Sequence, residues 1–132
     1  MKIRLKFNDQ VVGATLVDSE AAHAFVAMLP LTITMHDIFR REKFGALPRP
    51  VGLAPTRSQP YEVGDLVCWS AGPDLAVMHA QDGTPLTGGF HFLGHLDSGA
   101  EAFATPGPLD ITIELQTVPK AAAPIESLAA GC

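Results

Sequence analysis

Two cysteines, one tryptophan and one tyrosine are thin provision for a 132-residue chain. Cys68 sits inside the apolar run DLVCWS and Cys132 ends a small-residue tail, a pattern that does not read as a disulfide framework. Cys68 reads as a buried structural thiol, because a nucleophilic one needs a neighbouring base and none stands near it in sequence. Basic clusters are missing too. The net charge of -5 leaves no concentrated positive surface for a phosphate backbone, so nucleic acid is not expected as a partner. No stretch approaches the roughly 18 apolar residues of a membrane helix. The opening MKIRLKFNDQ alternates charge and apolarity where a secretion signal would carry an apolar block, so a cytoplasmic protein without membrane contact is expected. Phosphate-cradling glycine loops, serine elbows and paired-histidine helices are likewise missing, which disfavours nucleotide and nucleophilic chemistry and leaves no cofactor expected.

What is present is globular: 47% hydrophobic and 17% charged residues, punctuated by 12 glycines and 11 prolines that imply many tight turns. KIRLKF alternates, with Ile3, Leu5 and Phe7 on one face and Lys2, Arg4 and Lys6 on a solvated one, and VVGATLV follows after the turn residues Asn8, Asp9 and Gln10. Residues 2–17 therefore read as a β-hairpin. Asp18 or Ser19 can cap a helix carrying Ala22, Phe25, Val26 and Leu29 at helical spacing, ended near Leu29 by Pro30. LTITM returns to strand composition. From His36 to Pro60 the prolines and mixed charges predict a long, partly ordered connection with at most short strands. DLVCWS and LAVMHA, parted by turn residues, predict a second hairpin. FHFLGHL reads as a strand, DSGAEAFA as a short helical turn and LDITIELQTV as a closing strand. The expected class is mainly β: a small closed barrel of one domain with one or two helices, too few to cover a parallel sheet.

The segments LPLTITM, EKFGALP, GDLVCW, GPDLAV, DGTP and FLGHLD occur in an order that resembles small bacterial and archaeal cyclophilin-like proteins, over roughly residues 2–118. Leu29, Pro30, Met35, Glu42, Lys43, Gly45, Leu47 and Pro48 carry the likeness, with Gly64, Asp65, Trp69, Gly83, Thr84, Pro85 and Gly94. The resemblance implies a cyclophilin-like β-barrel with helices at its ends; residues 1–118 are expected to form the barrel domain, and PKAAAPIESLAAGC, residues 119–132, reads as a flexible Ala/Pro-rich tail. Most members of the family have no established activity. HDIFRR stands where related sequences often have a glycine-containing turn. The arginine, aromatic and glutamine run that lines a prolyl-isomerase groove does not align: FHFLG echoes its aromatics, but no arginine follows Phe90 or Phe92.

Four residues are the candidate lining of a ligand site near the barrel mouth. Arg49 can present a fork of donors to a carboxylate or peptide carbonyl, with Arg57 in reserve. His36 is titratable within a charged loop. Trp69 and Phe92 offer aromatic walls, with Trp69 placed across its hairpin from His79. Phe44 could plug the barrel end and Gly45 could permit a positive φ. If FHFLGH is extended, His91 and His95 share a face about 13 Å apart, too far for one ion, and no metal is expected. Asp65, Asp97 and the Asp82-Gly83 pair read as turn or cap residues. The leading reading is a non-catalytic barrel binding a small molecule or an extended peptide. The alternatives are a peptidyl-prolyl isomerase, and a structural module that builds an oligomer through Ile38 and Phe39.

Overall fold

Alternation of apolar and polar residues, sustained along nearly every segment, gives this chain its shape, because a strand with one apolar face can bury it only against other strands or by curling round itself. The computed structural model describes residues 1–52, 56–69 and 73–116, residues 56–59 by their backbone. The strands are β1 (Lys2–Phe7), β2 (Gln10–Leu16), β3 (Leu31–Ile38), β4 (Glu42–Ala46), β5 (Thr56–Gln59), β6 (Asp65–Trp69), β7 (Asp74–Met78), β8 (Leu86–Leu96) and β9 (Leu109–Leu115). One helix, α1 (Glu20–Val26), and a short 3-10 helix (Ala100–Ala104) complete the described elements.

Eight of the strands close an antiparallel barrel in the order β2-β1-β9-β3-β4-β7-β6-β8, with β8 returning to β2. β5 pairs with the first part of β8, Leu86 to Gly89, outside that ring. The interior is built from the inward residues of the strands, among them Ile3, Leu5, Ala14, Met35, Leu66, Leu75, Leu93, Ile111 and Ile113, joined by Ala21, Ala22 and Phe25 of α1. Ser19 caps the helix by accepting the Ala22 amide at 3.1 Å. The helix ends at Val26, earlier than the apolar spacing to Leu29 suggested.

Of the partly ordered connection expected from His36 to Pro60, residues 36–38 and 42–46 are ordered barrel wall, while 47–52 carry no strand or helix. β3 runs on through His36 and Asp37 to Ile38 and folds back as β4, pairing Ile38 with Glu42 and His36 with Phe44. Gly45 has no positive φ; its role is close approach, since a Cβ there would stand 2.7 Å from the Thr34 carbonyl. The tail 119–132 and the turn residues Ala71 and Gly72 lie outside the described residues. Among the described residues no helix is long and apolar enough to cross a membrane.

Candidate functional site

The same alternation that fills the barrel leaves a second apolar layer on the outer face of β4, β7, β6 and β8. Tyr61, Val67, Ala76, Met78, Leu86 and Phe90 form it, with Phe44 and Trp69 packed against its margin. β4 contributes Glu42 and Phe44 to this outer side, while Lys43 and Gly45 face the other way. Trp69 is held by a hydrogen bond from its Nε1 to the Thr87 carbonyl at 3.3 Å and by the Phe90 ring, centroids 6.1 Å apart. Beside this layer opens a groove of about 300 Å³, walled by Phe39, Phe44, Trp69 and Thr87 and carrying Arg41, Glu42 and Asp74.

The charges of the groove are arranged unequally. Glu42 is only 3% exposed, and burial pushes its carboxyl above the ordinary range even though Arg41 opposes the shift. Arg41 donates from Nε to Glu42 Oε2 at 3.0 Å and from Nη1 to the Thr84 carbonyl at 3.0 Å, with Asp82 at 3.5 Å. Burial is the largest influence on Arg41 and works to lower its pKa, but the bond and charge of Glu42 together with the charges of Tyr61 and Asp82 leave it raised. Its guanidinium carbon stands 5.4 Å from the Phe39 ring centroid and 5.3 Å from that of Tyr61, a cation between two aromatic faces. Tyr61 in turn donates to the Ala80 carbonyl at 2.7 Å. The turn that carries Phe39 is strained: Phe39 and Arg40 have φ of 57° and 53°, in the left-handed region that bulky side chains avoid.

The four residues singled out from sequence are spread over different places. Trp69 lines the groove. His36 is exposed on β3 near its rim, 6.3 Å between ring centroids from Phe44. Phe92 is exposed on β8 and faces a separate concavity with Pro60, Tyr61, Glu62 and Asp65. Arg49 is exposed beyond β4 and lies outside the groove, and the Arg57 side chain lies outside the described residues. Phe39, Phe44, Asp74 and Thr87 went unmarked as ligand residues. The signal for Phe44 was available, since alternation through EKFGA puts it on one face with Glu42 once the segment is read as a strand.

Several pairings expected from sequence are corrected. Trp69 and His79 are at opposite ends of their hairpin: Cys68 pairs with Leu75 and Leu66 with Val77, so Trp69 falls beside Asp74. Phe44 packs on the outer layer instead of plugging the barrel. His91 and His95 do not share a face, because a bulge in β8 against Leu66 and Val67 inserts one residue and reverses the alternation between them. His91 is the register partner of Cys68, whose thiol burial pushes up to about 11, so no reactive thiolate results. His95 instead points its Nδ1 at Asp65 Oδ1, 2.8 Å away.

Among the described residues Glu62, Asp65 and His95 bring ligand atoms within 4.8 Å of one another, the spacing a divalent ion would need. Asp65 is nevertheless already engaged, its Oδ2 accepting the Glu62 amide at 2.9 Å while Oδ1 faces His95. The trio thus braces the turn into β6, in keeping with Asp65 as a capping acid.

No curated protein matches the chain. Among solved structures it is similar to a hypothetical protein from Archaeoglobus fulgidus, known from its solution structure, with a TM-score of 0.68 at 15% identity over 86% of this chain and 93% of that one. Likeness at that identity speaks to the fold alone. The closed barrel and the match of residues 5–114 to the cyclophilin-like family, from within β1 to within β9, place the chain: it belongs to that family.

Proposed function

We propose that this barrel is a non-catalytic binding module that takes a small molecule, or one side chain of an extended peptide, in the outer-face groove. The observation that carries the reading is the convergence of Phe39, Phe44 and Trp69, from a turn and two strands, around the buried carboxyl of Glu42. Apolar walls with a few fixed polar groups are the usual make-up of a ligand site. A prolyl isomerase would need a donor free to polarise the substrate amide. Arg41, the arginine of this groove among the described residues, has its Nε and Nη1 turned to Glu42 and Thr84, and Arg49 stands outside. That favours binding over catalysis.

The test is an amide-resolved NMR titration with a proline-containing peptide and with small apolar ligands, including exchange spectra of the peptide bond. Shifts confined to Glu42, Phe44, Trp69 and Thr87, with isomerisation at its background rate, are the expected result. Accelerated isomerisation abolished by one arginine substitution would replace this reading with the enzyme. The subunit-module reading draws on Phe39, 68% exposed on its turn. A monomer at all concentrations in sedimentation would remove it.

A further inference from the structure

The groove has a chemical sign. Three aromatic side chains line it, and the face of an aromatic ring carries the negative end of its quadrupole. Two carboxylates, Glu42 and Asp74, share the lining with one guanidinium, Arg41, and that guanidinium is turned to Glu42 Oε2 and the Thr84 carbonyl. Asp74 makes no hydrogen bond or ion pair through its side chain among the described residues and is only part-exposed. Among the described residues the lining therefore retains an unanswered negative charge, on a protein whose net charge is -5. An anion would meet repulsion at close and long range, and a neutral ligand would gain from burial alone. A cation with an apolar body would gain from the rings, from Asp74 and from burial together. Arg41 itself shows that one of these walls accepts a cation, since its guanidinium carbon stands 5.4 Å from the Phe39 ring centroid.

We propose that the groove selects organic cations, an alkylated ammonium group seated among Phe39, Phe44 and Trp69 with Asp74 and Glu42 facing it. This rests on the binding reading above and names its ligand class. The ammonium could belong to a free metabolite or to a modified lysine side chain of a peptide; the shared chemistry is a diffuse positive charge too poorly hydrated to resist desolvation.

Trp69, the one tryptophan of the chain, is a built-in reporter. Its fluorescence and indole NMR signal would be followed during titration with three molecules of nearly one shape: choline, 3,3-dimethylbutan-1-ol and 3,3-dimethylbutanoate. Choline is expected to bind about 5-fold or more tighter than the neutral alcohol, the scale of a partly desolvated cation–π contact, with the carboxylate weakest. Asp74→Asn should narrow that preference, weakening choline more than the alcohol. Glu42→Gln, which frees Arg41, should narrow it further. Phe44→Leu should keep the fold and weaken choline more than the alcohol. Equal binding of choline and the alcohol, or tighter binding of the carboxylate, would overturn the cation class and leave the groove standing. Silence of Trp69 toward all three would overturn both. To separate the two sources, a trimethyl-lysine peptide and its unmodified lysine form would be compared with choline: a peptide source predicts tighter binding of the methylated peptide than of choline, and a metabolite source predicts the reverse.

Discussion

At the scale of single residues, the turn at Phe39 and Arg40 sets stability against use. Two bulky residues in left-handed backbone cost about 1–2 kcal/mol each, whereas Asn8 and Asp9 hold similar angles in the first hairpin with side chains that tolerate them. Strain of this kind persists where the surroundings impose it, and here it presents Phe39 to the groove. Phe39→Gly is therefore expected to raise stability by about 1 kcal/mol, read from the urea midpoint, while lowering groove affinity; a loss of stability would mean the turn is not strained. Cys68 supplies a second residue-scale expectation. With its thiol buried and pushed up to about 11, it should stay unmodified by Ellman's reagent in a native Cys132→Ser variant and react only on unfolding. The sequence context of Cys68 was enough to read its burial. Phe39 was legible as an exposed apolar residue but not as a groove wall, because its left-handed φ depends on the length of the connection between two strands that were not both recognised.

At the scale of elements, β4 shows most clearly where local reading fails. EKFGA combines two adjacent charges, an aromatic and a glycine, which propensity assigns to a loop. In the barrel each charge has a specific answer on its own face. Glu42 meets Arg41 outside, and Lys43, 0% exposed, reaches Asp37 Oδ1 at 2.7 Å and the carbonyls of Thr105 and Gly107. Asp37 lies six residues before Lys43, but the two carbonyls lie 62 and 64 residues beyond it, so a window along the chain could not have found them. The lysine ties the middle of the barrel wall to the segment after the 3-10 helix. Lys43→Met would leave two carbonyls without their donor and is expected to cost about 1–3 kcal/mol, with amide exchange rising first around Thr105 and Gly107. Uniform exchange across the barrel would show that the tie is not local. By contrast β1, β2 and β9 were legible, since their alternation is uninterrupted and their partners are polar on one face only.

Over the whole molecule, closure is the feature that composition suggested and only the pairing reveals. The ring is completed by three residue pairs between β2 and β8, Ala14 with Leu96, Thr15 with His95 and Leu16 with Gly94. Gly94 allows that seam, for a Cβ there would lie 2.3 Å from the Thr15 carbonyl. Gly94→Ala should therefore destabilise by about 1–3 kcal/mol, and thermal denaturation would show it; an unchanged midpoint would mean the seam is loose. The response to acid is also a property of the whole wall. The carboxyls of Asp37, Asp97 and Glu114 are held below their ordinary range by hydrogen bonds from Lys43, Lys2 and Lys6, and that of Asp82 by the Thr84 amide. A depressed carboxyl contributes stability above its unfolded pKa and loses it as pH falls, so these groups weaken the fold below the model-peptide values of 3.8 for Asp and 4.5 for Glu. His79, lowered from 6.5 by burial, begins its loss sooner, because below 6.5 the unfolded chain takes up a proton that the folded one resists. Glu42 has the opposite sign: its raised carboxyl makes ionisation a burden on the fold above 4.5, so protonating it on the way down offsets part of the His79 loss. Urea midpoints measured from pH 7 to pH 3 should thus fall gently at first and steeply below about 4.5. His79→Gln should leave a rise between pH 6.5 and 4.5, and Glu42→Gln should steepen the fall over that range. If the two variants share the parent's slope there, the opposed titrations of these two groups do not govern it.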